Sequence, residues 1–305
     1  MHFPVSGVDC SPFIPPLVAF VISSLTASAG VSGAFLLLPF QMSVLGFVSP
    51  AVSPTNLIYN IVAIPGGVYR YIREGRMVWP LAWTIVAGTL PGLFAGVVIR
   101  VRYLPGPRAF KFFVGLVLLY LAVRLVWQGL RGPQDGQTLQ ARLLAAGALP
   151  GGAAVRTKSV GVRRIEYEFL GATFGFSPVS ILALALVVGL IGGIYGIGGG
   201  AIIAPFVVVI LGLPVYTVAG AALLGTFVSS VAGVAGFELV GLTSLGGGAA
   251  VRPDWALGAL FGVGGLFGTY VGARLQKRLP ERWIRLFLGT LIAGLAVSYV
   301  AQYFL

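Results

Sequence analysis

Acidic side chains are scarce: 8 Asp and Glu stand against 20 Lys and Arg in 305 residues, beside a single histidine and a single cysteine. The histidine is His2 and the cysteine is Cys10, both in the amino-terminal tail, so neither a metal cluster of imidazoles and thiolates nor a catalytic dyad can be assembled. A lone cysteine also excludes an intrachain disulfide and says little about redox compartment. The carboxylates Asp9, Glu74, Asp135, Glu166, Glu168, Glu238, Asp254 and Glu281 all avoid the middle of an apolar run. This argues against the buried proton relays that many ion-coupled pumps place in the membrane. Glu238, at the end of its run, reads as a solvated helix end. With nucleophile, base and metal ligands nowhere clustered, we expect no catalytic residue, no metal and no cofactor.

Polar surface is as scarce as acid. The chain is 57% hydrophobic and 9% charged, with a mean hydropathy of +0.97, and so has too little polar area to cover a soluble globule. Apolar runs near Val18 to Leu45, Ala51 to Tyr69, Val78 to Ile99, Phe110 to Val126, Ile181 to Leu213, Val218 to Phe237, Trp255 to Gly272 and Trp283 to Tyr303 are each long enough for about 30 Å of hydrocarbon. The expected fold is an all-α polytopic membrane protein with about 8–10 transmembrane segments, some of them glycine-broken or re-entrant. Trp79, Trp127, Trp255 and Trp283 at run ends read as interfacial anchors, and Arg124, just before Trp127, as a snorkelling side chain.

One pattern occurs twice. Gly30-Val31-Ser32-Gly33-Ala34, followed by Pro39, aligns with Gly196-Ile197-Gly198-Gly199-Gly200, followed by Pro205. Matched signals come after each: Trp79 with Trp255, Gly88/Gly92/Gly96 with Gly264/Gly268/Gly272, and Leu104-Pro105 with Leu279-Pro280. We therefore expect two homologous repeats, residues 12–130 and 178–305, joined by a polar connection over 131–177. Within that connection, Gln134 to Gln137 is turn-like, Gln140 to Leu149 has the makings of a short surface helix, and Val155 to Phe169 reads weakly as a hairpin outside the bilayer. The glycine triplets spaced by four suit close helix packing.

The net charge of +12 lies in short loops beside apolar spans, which fits anchoring to anionic head groups better than nucleic acid. Arg100, Arg102, Arg108 and Lys111 match Arg274, Lys277, Arg278, Arg282 and Arg285, favouring parallel repeats; Arg70, Arg73 and Arg76 argue the reverse. Charge alone leaves the orientation open. The amino terminus carries no positive charge before its first apolar run, which argues against a cleaved signal.

The glycine clusters are the strongest candidates for a site. A break inside a membrane helix frees backbone N–H groups at the start of the next half-helix, where the dipole adds about half a positive charge. Such an end can hold an anion, provided protein or a water-filled cavity lines it. Candidate residues are Gly30, Ser32, Gly33 and Ala34 at the first cluster and Gly196, Gly198, Gly199 and Gly200 at the second. On the run after the first cluster, Asn56, Tyr59 and Asn60 share a helix face beside Thr55, and buried asparagine demands a partner. Interhelical hydrogen bonding without a ligand serves equally well. The equivalent run of the second half is poorer, offering Thr226 and Ser229 behind Ala221-Ala222.

Gly196-x-Gly198-Gly199-Gly200 with its proline, the degenerate copy at 30–39, Pro54-Thr55-Asn56-Leu57, and the Trp-then-Gly segments at 79–96 and 255–272 together resemble the TauE/SafE family of sulfite and organosulfonate transporters. The resemblance covers both halves. It implies a multi-pass inner-membrane carrier of a small sulfur-containing anion such as sulfite or sulfoacetate, with the lipid bilayer as its other partner. Nucleic acid is not implied and the oligomeric state is left open. On this reading, backbone N–H groups at Gly33, Ala34, Gly199 and Gly200 hold the anion and the neutral side chains add donors. A passive anion channel, or a membrane-embedded scaffold whose basic loops recruit a partner, are the alternatives.

Overall fold

The computed structural model describes residues 1–28, 31–131, 154–169, 171–243, 251–275 and 281–304. A two-stranded hairpin, β1 (His2–Phe3) and β2 (Val8–Asp9), precedes α1 (Ile14–Ser28), α2 (Ala34–Ser43), α3 (Val52–Ala63), α4 (Pro65–Arg73), α5 (Trp79–Arg102) and α6 (Pro107–Arg131). Strands β3 (Arg156–Val160), β4 (Ile165–Phe169) and β5 (Ala172–Phe176) follow. The chain closes with α7 (Pro178–Tyr195), α8 (Gly200–Leu211), α9 (Val215–Gly241), α10 (Trp255–Leu275) and α11 (Glu281–Phe304).

Among the described residues six helices are long and apolar enough to cross a membrane, and the chain is a polytopic membrane protein. The sequence led us to expect at least eight crossings. The difference lies in two runs that the backbone divides. The first becomes α1 and α2, apolar but short at 15 and 10 residues. The second divides at Pro65, which lacks the N–H to continue α3 and instead opens α4, a short helix with only Val68 buried. The fold is also not purely helical. The Val155 to Phe169 hairpin gains a third strand, pairing antiparallel in the order β3-β4-β5, and the β1-β2 hairpin was not foreseen. The expectations for Gln134 to Gln137, for the helix at Gln140 to Leu149, and for Gly30 lie outside the described residues.

Glycine stripes decide which helices meet. A Cβ added to Gly88, Gly92 or Gly96 of α5 would strike the carbonyl of Leu182, Leu186 or Leu190 on α7 at 2.8, 2.0 and 2.4 Å. Gly264, Gly268 and Gly272 of α10 lie in the same way against Pro16, Phe20 and Ser24 of α1, at 1.9, 2.4 and 2.4 Å. Each stripe therefore joins elements of different halves, with backbones too close for any side chain, as expected of small residues in membrane helix packing.

Direction along the bundle follows from these contacts. One end holds the β1-β2 hairpin, where Ser6 bonds Asp254 ahead of α10 at 2.9 Å. The other holds the sheet, where Tyr167 of β4 bonds Thr217 near the start of α9 at 2.8 Å and Val155 N donates to the carbonyl of Gly75 at 2.9 Å. Helix α1 starts at the Asp254 end beside α10, and α2 returns to that end, where Ser43 meets Tyr299 of α11. Helix α7 starts at the sheet end beside α5. Gly200, the first residue of α8, faces Ala222 and Thr226 of α9, and α8 runs back to the sheet end where α9 begins. The two halves thus enter the bundle from opposite ends. Loop cations that match in sequence lie at opposite ends: Arg108 bonds the carbonyl of Tyr303 at the Asp254 end, whereas Arg285 stands beside Arg124 at the sheet end.

Candidate functional site

Helix α3 lies between the ends of the two helix pairs and carries the polar face anticipated from its sequence. Asn56 and Asn60 are fully buried, which demands hydrogen bonds. The Asn56 Nδ2 donates to the carbonyls of Ala34 at 3.0 Å and Gly196 at 2.9 Å. One carboxamide therefore ties the start of α2 to the end of α7. Gln41 of α2 donates to Asn56 Oδ1 at 3.3 Å, and Asn60 Nδ2 donates to the carbonyl of Ile197 at 2.9 Å. Tyr59 turns toward α1, its hydroxyl 2.8 Å from Ser23 Oγ.

The segment from Gly196 to Gly199 is a true change of backbone direction. Gly196 and Gly198 have φ of 88° and 73°, left-handed values that side chains disfavour. Space forbids a side chain as well. A Cβ on Gly196 would stand 2.3 Å from the Ser53 carbonyl, and one on Gly200 2.1 Å from that of Ala222. Gly199 N donates to Ser229 Oγ at 3.1 Å, and Ser229 Oγ donates in turn to the Thr226 carbonyl. At the first cluster, Gly33 precedes α2 in ordinary helical conformation, Ala34 N donates to Ser32 Oγ at 3.3 Å, and a Cβ on Gly33 would meet the Tyr59 hydroxyl at 2.5 Å. The N-cap residues of α2 and α8, Gly33 and Gly199, bring no side-chain cap of their own.

The structure thus gathers Ser32, Gly33, Ala34, Asn56, Tyr59, Asn60, Gly196, Gly198, Gly199, Gly200, Thr226 and Ser229 around α3. Thr55 stands apart: it accepts from Asp254 N at 2.9 Å toward the α10 start. Ser53, at the head of the polar run anticipated after the first cluster, donates to the carbonyl of Ile194 at 3.1 Å. Two participants escaped the sequence reading: Tyr195 donates to the carbonyl of Phe35 at 2.8 Å, and Thr89 packs on Gly199. Their only advance signal was a polar atom inside an apolar run. Among the described residues, Gln41 Oε1, Asn60 Oδ1 and Ser230 Oγ are buried with no protein partner, and none of the His, Cys, Asp and Glu side chains group as a metal site. Gln41 Oε1 and Asn60 Oδ1 accept only, so of the three the Ser230 hydroxyl alone has a hydrogen to offer an anion.

Apolar crossings that surround buried polar side chains and irregular backbone define a polytopic membrane protein with a polar center. The chain belongs to the TauE/SafE family: the family model described as Sulfite exporter TauE/SafE matches residues 16–299, nearly its whole length. A search of curated proteins and one of solved structures give no match. The family is one of anion transporters, not of enzymes.

Proposed function

We propose that this protein is a carrier of sulfite or a small organosulfonate such as sulfoacetate in the cytoplasmic membrane, and that the anion binds where α2, α3 and α8 meet. The observation that carries this reading is the Asn56 carboxamide bridging Ala34 and Gly196. It ties the start of α2 to Gly196, which ends α7 four residues before α8 opens at Gly200, so the N-terminal dipoles of α2 and α8 act near one side chain. Gly33 and Gly200 supply backbone donors, joined by Ala34 and Gly199 once their N–H groups leave Ser32 and Ser229 Oγ; Asn60 Nδ2, with one hydrogen on the Ile197 carbonyl, offers its second, and Thr226 lies at their side.

The two halves act as inverted repeats, residues 12–130 and 178–305. Support comes from the glycine stripes, whose targets Pro16, Phe20 and Ser24 recur as Leu182, Leu186 and Leu190, and from the opposite directions of the halves. Rocking of one half against the other about the shared center is the alternating-access motion such an arrangement permits. At the sheet end Arg70, Arg73, Arg76, Arg156, Lys158, Arg163 and Arg164 outweigh the Arg102, Arg108, Lys111 and Arg252 of the other. The positive-inside rule then puts the sheet in the cytoplasm and the β1-β2 hairpin outside.

With no central carboxylate pair, transport is uncoupled and electrogenic. An inside-negative potential drives each negative charge outward by about 2.3 kcal/mol per 100 mV, which favours export. Proteoliposomes clamped with K⁺ and valinomycin, free of Na⁺ and at fixed pH, test this by labelled sulfite or sulfoacetate flux. We expect saturable, potential-driven flux with counterflow. Single-channel currents without counterflow point to a channel, and flux that waits for Na⁺ or a proton gradient defeats the uncoupled reading.

A further inference from the structure

Arg100, near the carboxyl end of α5, is the largest fully buried side chain that the center above does not use. Its partners are all uncharged. Nε donates to Ser53 Oγ at 3.2 Å, one Nη bonds the carbonyl of Leu104, the other reaches the Ser49 carbonyl only at 3.5 Å, and the guanidinium stacks on Phe110 at 3.6 Å. Among the described residues no carboxylate pairs with it. A buried cation without a counter-ion is costly unless something negative joins it. Beside it, Ser49 Oγ is buried and has no partner.

We propose that Arg100 and Ser49 form a second anion site at the Asp254 end of the bundle, taking the same class of sulfur oxyanion as the center. The long contact to the Ser49 carbonyl is the one an anion replaces. A guanidinium that keeps Nε on Ser53 still offers Nη hydrogens to an oxyanion, and Ser49 Oγ adds a hydroxyl donor. Ser53 links this site to the center, since its hydroxyl accepts from Arg100 and donates to the carbonyl of Ile194, just before Gly196. An anion leaving the center thus has a cationic resting place one residue away. Arginine suits this position because its planar fork binds an oxyanion while it stays charged. The role in passage rests on the carrier reading; the site itself does not.

Two measurements test the site. In the first, thermal stabilisation of purified protein by sulfite and by methanesulfonate is compared with chloride. Ser49→Ala, which removes a hydroxyl that bonds nothing in the unliganded protein, should leave the melting temperature without anion unchanged and weaken anion stabilisation at least fivefold in apparent affinity. Arg100→Gln should weaken it at least tenfold and Arg100→Lys less. In the second, proteoliposome flux from the Asp254 face should show a raised KM in Arg100→Gln, with KM from the sheet face within about threefold. If wild type moves no anion but Arg100-dependent stabilisation persists, the site stands and the carrier reading falls. Equal anion stabilisation in wild type, Ser49→Ala and Arg100→Lys overturns the site and leaves Arg100 as a cap on the α5 terminus. So does its absence from wild type.

Discussion

The side-chain nitrogen of Asn56 lies 2.9 Å from the carbonyl oxygen of Gly196, across 140 residues of chain. The same nitrogen reaches the carbonyl of Ala34, so one amide group holds together backbone from both halves at full burial. Replacing it leaves the buried Gly196 carbonyl without a donor, worth about 1–3 kcal/mol of desolvation, and removes the side-chain donor that the Ala34 carbonyl has beside its helical bond.

Asn56→Ala should therefore lower the melting temperature and weaken anion stabilisation, leaving the part that depends on Arg100. Asn56→Asp is the sharper test. An aspartate has no donor for the two carbonyls, whereas the protonated acid has one O–H, and burial raises the pKa of such a carboxyl. Stability of the variant should rise as pH falls below neutral, while wild type shows no such gain. A pH-independent deficit equal to that of Asn56→Ala would show that the carbonyls do not depend on this donor.

Close helix contact supplies a second prediction. Gly92→Ala drives a methyl to within 2.0 Å of the Leu186 carbonyl, which cannot yield without moving α7, whereas a Cβ on Gly294 would meet nothing within 4 Å. Gly92→Ala should cost several degrees in melting temperature. Gly294→Ala should be neutral or stabilising by up to about 1 kcal/mol, as helix propensity allows. Melting of the two purified variants checks both. Equal behaviour would mean that the α5–α7 contact can widen freely.

That contact also marks how far the sequence could be read. The glycine spacing announced tight packing but not the partner, because Gly92 and Leu186 lie in different halves and no local pattern encodes such a pairing. Asn56 and Asn60 announced a buried polar face, yet their acceptors at Gly196 and Ile197 became visible only in three dimensions. The division of the second apolar run was legible at Pro65 and outweighed by run length. Arg100 reads in sequence as one more loop-side cation of a basic chain; its burial follows from how α5, α3 and the turn at Leu104 fold over it.

Membrane orientation is open to test through Cys10. It follows β2 at the end of the bundle opposite the sheet, and it is the sole thiol of the chain. A membrane-impermeant maleimide should label it in intact cells before permeabilisation. Burial pushes the thiol up from its ordinary value of 9.0, so less thiolate is present at neutral pH than in a free thiol. Labelling should be slower than for a small-molecule thiol at pH 7 and accelerate up to about tenfold per pH unit until the thiol titrates. Labelling only after permeabilisation would reverse the assigned orientation.

The sheet is held to the bundle through Tyr167, whose ring is fully buried and whose hydroxyl meets Thr217 at 2.8 Å. Burial pushes this phenol up to about 12, with the Thr217 hydrogen bond acting in the opposite sense. A folded-state value above the unfolded value near 10 means that the folded protein binds the proton more tightly. The resulting stability is fully present below pH 10 and is lost as pH rises through about 12. Tyr167→Phe should cost about 1 kcal/mol at neutral pH for the lost hydrogen bond, and should lack this alkaline loss. Limited proteolysis between β5 and α7 reports docking of the sheet, read as wild type minus variant so that other tyrosines cancel. A wild-type protein whose protection stays level from pH 10 to 12, or a variant that loses protection in parallel with it, would show that Tyr167 does not secure the sheet.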